Sequence, residues 1–368
     1  MRQNRVLITL FSIVMGLFLG GIVLFIAGFN PFQAYGIMLV GIFGNARYIS
    51  WTIVRSTPII ITGISVAFAF KTGLFNIGAE GQFIIGSLFA TMTGYFFNLP
   101  PVLHAIVALL IGCIAAAIWA GITGLLKAKF GVNEVISSIM LNWIALYLNN
   151  FILTIPSFRR PNSDASYKIQ EAAKINILDN WKVSDAGKAF LNDHTLLRDF
   201  LNPPVNFGFL IAILTAFFIW HILKNTTLGY QLKAVGFNRD AAEYGGINIK
   251  KNIIVSMMIA GAISGMAGAL QVLGVSHQVG ILAAMEGYGF DGMAVSLIAA
   301  NHPLGTIPAG LLFGGLKYGG SKLNSTIGAP SEIISITIGV IIFFVAMPKL
   351  FDIVMDLFFK KKRGDKVE

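Results

Sequence analysis

Cysteine is almost missing from this 368-residue chain, which has only Cys113. A single thiol closes no disulfide within the chain, so a secreted disulfide-stapled scaffold is excluded. Charge is scarce too: 12% of residues are Asp, Glu, Lys or Arg, where an average soluble domain has about 25%. A water-soluble globule of this size needs more polar surface than that. The five histidines, at 104, 194, 221, 277 and 302, show no metal-ligand spacing. No nucleophilic triad is recognisable, and no G-x-x-x-x-G-K-[ST] loop occurs. The nearest run, GLKYGGSK (315–322), has Ser321 where the lysine belongs. GYGFDG (287–292) matches G-x-G-x-x-G but sits between apolar segments, and that fingerprint needs a strand before it and a helix after.

Apolar residues are plentiful, at 55% of the chain with mean hydropathy +0.75. Intrinsic disorder is thereby excluded. The class that fits is an all-α polytopic membrane protein. A spanning helix takes about 20 predominantly apolar residues. Ten candidates follow, some short or discontinuous: 6–28, 51–70, 82–97, 102–126, 134–155, 206–223, 253–275, 281–300, 304–322 and 332–347. The first is longer than the roughly 7–15 apolar residues of a signal peptide and reads as an uncleaved span. Glycine pairs at G-x-x-x-G spacing, such as Gly16/Gly20 and Gly261/Gly265, suit close helix packing in a bundle.

The net charge of +10 does not point to nucleic acid, because no basic face with interleaved aromatics is present. Lys and Arg instead flank the apolar runs, above all in 224–252 and 349–368. Basic residues so placed hold a loop on the cytoplasmic side. The expected organisation is one transmembrane domain over 1–368, surrounded by membrane lipid. It has an extracytoplasmic insertion at 156–205, a cytoplasmic loop at 224–252, a basic cytoplasmic tail at 349–368, and both termini inside.

Ionisable residues at membrane depth usually face a cavity or a partner. Two stretches break the apolar pattern. In KTGLFNIGAEGQF (71–83), Asn76, Glu80 and Gln82 stand among glycines. In EGYGFDGMAVSLIAANHPLG (286–305), Glu286, Asp291, Asn301 and His302 do the same. Interrupted segments in the two halves of a chain point to a transport pathway, and amides suit a neutral polar solute. Ordinary solvated turns are the competing reading. In GVNEVISSIMLNW (131–143), Asn133 is a helix cap beside Glu134, and Asn142 follows near the same face. Helix-to-helix hydrogen bonding competes with a pathway role there. In the 224–252 loop, Asn238 caps a short helix RDAAEY (239–244) that Gly245-Gly246 stops. Arg239, Asp240, Glu243 and Tyr244 can face a soluble protein while Ala241 and Ala242 pack closely; a simple connector is the alternative.

Taken in order, FNIGAEGQ (75–82), NEVISSIMLNW (133–143), AVGFNRDAAEYGGI (234–247) and GYGFDGMAVSLIAANHPLG (287–305) resemble an ABC importer permease. The family is the branched-chain amino acid, ribose and simple-sugar permease superfamily, and the nucleoside-importing branch is the most similar. The resemblance runs from about Pro58 to Pro348. It implies a non-catalytic transmembrane subunit in the bacterial cytoplasmic membrane. Its partners would be a second homologous permease, an ABC ATPase that uses ATP and Mg, and an external solute-binding lipoprotein; no cofactor would be bound by this chain. The family's coupling helix matches 238–247, so Asn238, Arg239, Asp240, Ala241, Ala242, Glu243, Tyr244 and Gly245 inherit ATPase contact. The pathway candidates are Asn76, Glu80, Gln82, Asn133, Glu134, Asn142, Asp291 and Asn301. Ribose, simple sugars or branched-chain amino acids are alternative solutes. An ion-coupled secondary transporter, with Glu80 and Asp291 as ion sites, is the alternative of another class. The 156–205 insertion is more elaborate than the compact family pattern.

Overall fold

The structure, a computed structural model, describes residues 2–347; the basic tail expected at 349–368 lies outside the described residues. Among these residues there are helices and three isolated β-bridges but no strand. They fall into two compact units, one of residues 46–314 and the other of the flanking segments up to 45 and from 315.

The larger unit contains α3 (Ala46–Phe70), α4 (Ala79–Phe96), α5 (Leu103–Phe130), α6 (Glu134–Ile152), α10 (Gly208–Asn225), α11 (Thr227–Phe237), α12 (Arg239–Tyr244), α13 (Ile249–Gln271) and α14 (Tyr288–Ile298). Three short helices, α7 (Asp179–Val183), α8 (Asp185–Asp193) and α9 (Thr195–Leu201), belong to the insertion. Its last element, α15 (Thr306–Ile327), runs on into the other unit. At the centre is α13, started by Asn248, whose side chain accepts from the Lys251 N–H at 2.9 Å. It packs on α3, α4 and α5.

That packing follows from side-chain size. On α5, Ala105, Ala108, Gly112, Ala116 and Ala120 are buried, and α5 packs on α13. Ile106, Leu110, Ile114, Ile118 and Ile122 form an exposed stripe at one-turn spacing. A helix with small residues inside and large apolar ones outside suits lipid. Gly86 of α4 lies directly against the Gly265 backbone of α13, and a methyl group on Gly86 would collide with it.

The second unit holds α1 (Arg2–Ile26), α2 (Pro31–Phe43), the rest of α15 and α16 (Ser331–Ala346). Asn30 caps α2 by accepting from the Phe32 N–H at 3.0 Å, and Pro31 stands in the first turn. The Asn-Pro pair is a good helix start, and α2 is a helix that the ten expected spans do not include.

Among the described residues, five helices are long and apolar enough to cross a membrane, or up to seven if each bent pair counts as one span. Ten was the expectation. The candidate at 281–300 is not one helix: its helical part is α14, 11 residues long, which reaches only about 16 Å against a core of about 30 Å. A 113° bend separates α14 from the helical segment beginning at Pro303. Ala300 and Asn301 make that turn with positive φ angles of 50° and 55°.

The insertion is folded onto the bundle. Phe158, Ile169 and Ala173 are buried in one cluster with Leu88, Ala108, Val272 and Leu273. Tyr167 stacks on Tyr95 with centroids 5.1 Å apart. Its segment 164–169 pairs with 277–281 through Ser166 N–H to the Val279 carbonyl (2.8 Å), Ile169 N–H to His277 (2.9 Å) and Ile281 N–H to Asp164 (2.8 Å).

Candidate functional site

The two interrupted stretches meet. Asn76 and Gln82 face each other amide to amide, each donating to the other at 2.9 Å, and Asn76 also donates to Ser65 Oγ at 3.2 Å. Ser264 of α13 donates to the same Ser65 oxygen at 2.8 Å. Glu80 accepts from Gly287 N–H through Oε1 (2.7 Å) and from Gly289 N–H through Oε2 (2.6 Å). Its carboxylate therefore sits on the N-terminus of α14, where backbone N–H groups lack helical partners and the helix dipole favours negative charge. Gly289 is required: a side chain there would run into the Glu80 backbone. Asn142 accepts from Gly81 N–H (2.8 Å) and donates to the Ile77 carbonyl (3.0 Å), tying α6 to the same turn.

This junction lies well inside the bundle. Asn142 is eight residues from the start of α6, or about 12 Å along it, and Ser264 is fifteen residues from the start of α13, or about 22 Å. Asn76 and Glu80 are fully buried and Gln82 is 1% exposed, so these three are not solvated turn residues. Freed backbone at such depth persists only where protein satisfies it, and these side chains do so.

The other pathway candidates lie elsewhere. Asp291 stands in the first turn of α14, half-buried. Asn301, in the left-handed turn after α14, accepts from Ser296 Oγ at 2.8 Å. Asn133 caps α6 by accepting from Val135 N–H at 2.8 Å. Glu134 pairs with Lys127 of α5 at 2.6 Å. Those last two stand at the α12 end of the bundle, where Lys127, Arg239 and Glu243 line a cleft of about 620 Å³.

A cavity of about 260 Å³ lies next to the junction, beyond Phe83 of α4. None of the eight pathway candidates lines it. Its polar walls come from Ser87, Asn149, Gln271, Ser276, Gln278 and Glu286. A π-helical turn at Val272–Ser276 and the positive φ of His277 (57°) swing the chain from the end of α13 around this space. Two neighbours on α6 then hold the returning segment. Asn149 donates to the Gly280 carbonyl (2.9 Å), while Asn150 donates to the Leu282 carbonyl (2.9 Å) and accepts from Leu282 N–H (2.8 Å). The Asn149-Asn150 pair in the apolar second half of α6 is a signal readable in the sequence.

At the opposite end of α13, the short helix α12 forms as its sequence requires. Asn238 accepts from Ala241 N–H at 3.1 Å, and Gly246 (φ +78°) ends it. Ala242 is 4% exposed, while Tyr244 and the preceding Phe237 are 98% and 90% exposed. Arg239, Asp240, Ala241, Glu243 and Gly245 are exposed as well. The last turn of α11 leans on the first interrupted stretch, with Gly236 against the Lys71 backbone. There, burial and then the charge of Lys233 hold the Lys71 amine below the usual lysine range.

Comparison with known proteins adds a lineage to this geometry. The family described as branched-chain amino acid transport system / permease component matches residues 48–346. The guanosine ABC transporter permease protein NupP of Bacillus subtilis is 37% identical over 360 residues, covering 98% of each chain. The nucleoside ABC transporter permease protein NupB of Lactococcus lactis is 34% identical over 356 residues, 96% of this chain and 94% of that one. A further Bacillus subtilis relative, the guanosine ABC transporter permease protein NupQ, is 28% identical over 272 residues, 71% of this chain and 78% of its own. No solved structure matches. The lipid-suited helices and the family match over most of the chain agree: this multi-pass membrane protein belongs to the branched-chain amino acid transport system permease component family.

Proposed function

We propose that this chain is the transmembrane subunit of an ATP-driven ABC importer that carries nucleosides across a bacterial cytoplasmic membrane. The observation that carries the reading is near-full-length similarity to permeases named for guanosine and for nucleosides. The importer is completed by a second, homologous permease, an ABC ATPase and an external solute-binding lipoprotein. Both NupP and NupQ of one organism resemble this chain, which favours a pair of unlike permeases.

In this reading α12 docks into the ATPase, which uses ATP and Mg. Its exposed Tyr244 and Arg239 supply the contact, and buried Ala242 seats it on the bundle. Closure of the ATPase shifts α12, and α11 transmits the shift through Gly236 to the 71–78 stretch. That stretch runs into Glu80, whose carboxylate holds the start of α14, so the junction of the two interrupted segments rearranges and opens the pathway. ATP can drive this only if the ATPase binds the two permease states with different affinity.

The test is guanosine uptake by cells carrying the whole importer. Arg239→Ala with Tyr244→Ala should cut ATP-dependent uptake at least about tenfold, the effect of losing roughly 1.4 kcal/mol of coupling contact. The amount of folded permease in the membrane should be unchanged. Wild-type uptake in the double variant would remove α12 from the mechanism. Uptake that survives ATP depletion but collapses with an ionophore would overturn the ABC reading.

A further inference from the structure

The 260 Å³ cavity has a polar lining of two kinds. Ser87, Asn149 and Ser276 make hydrogen bonds within the protein: to the Phe83 carbonyl (3.0 Å), the Gly280 carbonyl (2.9 Å) and the Gln278 carbonyl (2.9 Å). Gln271, Gln278 and Glu286 do not. Gln278 Oε1 is buried with no protein partner, and the side chains of Gln271 and Glu286 make no hydrogen bond among the described residues. Buried polar groups are nearly always satisfied. The buried orphan acceptor of Gln278, beside the unbonded side chains of half-buried Gln271 and exposed Glu286, marks a place built to receive polar atoms from elsewhere.

Their chemistry narrows the solute. Each amide offers both donors and an acceptor, and the carboxylate offers two acceptor oxygens to neighbouring hydroxyls. No Lys, Arg or His lines the cavity, and Glu80 lies close enough to act on Glu286 through its charge. A phosphate or carboxylate would find no cation on the lining to pair with. The volume, about 260 Å³, is slightly below the roughly 300 Å³ at which typical ligand pockets begin, so only a small solute fits. The walls, moreover, are fixed: Asn149 and Asn150 hold one rim, and the insertion's pairing with 277–281 holds the other.

We infer that this cavity is a solute-binding site within the permease itself, taking a neutral ribonucleoside. The ribose hydroxyls face Glu286 and the edge of the base faces Gln271 and Gln278. The site rests on the nucleoside reading above and adds a selectivity step after the external binding protein.

The experiment uses the full chain in lipid nanodiscs with radiolabelled guanosine, and guanosine 5′-monophosphate, ribose and leucine as competitors. Guanosine should bind and be displaced by unlabelled guanosine, with the monophosphate at least about tenfold weaker and ribose and leucine without effect. Gln278→Leu and Glu286→Gln should each weaken binding about tenfold, the size of one lost hydrogen bond, at an unchanged unfolding temperature. In cells with the whole importer, the same variants should slow guanosine uptake. Wild-type guanosine affinity and uptake in both variants would overturn the site while leaving guanosine import standing. Displacement by ribose as strong as by guanosine would overturn the nucleoside assignment, as would competition by the monophosphate at equal strength. Failure of wild-type cells to import guanosine at all would strike the reading on which the site rests.

Discussion

At the scale of single residues, the junction depends on acceptors placed where helix ends need them. Glu80 gives both carboxylate oxygens to α14 N–H groups. In Glu80→Gln one oxygen becomes an NH₂ group pointing at a backbone donor, and the charge that favours a helix N-terminus is lost. A hydrogen bond to a charged group is worth about 1.5–3 kcal/mol, so the variant should unfold at lower temperature in detergent. Amide exchange at 287–291 should accelerate as well. Unchanged exchange there would mean that packing alone holds the start of α14. Lys71 makes a second prediction, in pH. Burial and the nearby Lys233 lower its pKa in the folded chain. Between that value and the ordinary one, the unfolded chain binds more protons, so stability should rise with pH through this window. Lys71→Met should flatten the rise in a series of melting curves on the alkaline side of neutrality. A slope equal to that of the unsubstituted chain would assign the effect to another group.

At the scale of elements, backbone contact sets how the helices meet. Gly86 and Gly265 let α4 and α13 touch backbone to backbone, whereas nothing lies within 4 Å of a methyl placed on Gly339 of α16. Gly86→Ala should therefore cost about 1–3 kcal/mol by overpacking, read as a lower unfolding temperature, while Gly339→Ala should be neutral or slightly stabilising. Equal effects would show that the α4–α13 seam can open without loss. The same elements show what was legible in the sequence. Helix α12 was, because its cap Asn238 and its stop Gly245-Gly246 are local signals. The buried trio Asn76, Glu80 and Gln82 was also visible, as polar residues standing among glycines in an apolar run. Helix α14 was not. An apolar count over 281–300 cannot reveal that its start is held by Glu80, over two hundred residues away, or that 278–287 is not helical. Glu286 stands out in the sequence among the glycines of 286–305, but its convergence with Gln271 and Gln278 was hidden for a related reason. They converge through a π-helical turn and a left-handed His277, neither of which follows from periodicity.

At the scale of the whole molecule, α13 and its π turn run from Ile249 to Ser276, 28 residues, or about 42 Å. That length exceeds a hydrocarbon core of about 30 Å, so the elements at its two ends stand on opposite sides of the membrane. One end adjoins the 226–248 loop with α12. The other touches the insertion, where Ile175 N–H donates to the Leu273 carbonyl at 3.1 Å. The charges separate the two ends: 224–252 carries five Lys and Arg against Asp240 and Glu243, whereas 156–205 carries seven against six. Excess positive charge in short loops faces the cytoplasm, so α12 should be inside and the insertion outside, as the proposed ATPase docking and capture of external solute both require. Replacing Cys113 by Ala gives a cysteine-free chain, on which exposed Asn192 of α8 and Lys250 of α13 can each be changed to Cys. A membrane-impermeant maleimide should label Asn192→Cys in intact cells, and Lys250→Cys only once the membrane is opened. The reverse pattern would turn the chain over and leave α12 out of reach of any cytoplasmic ATPase.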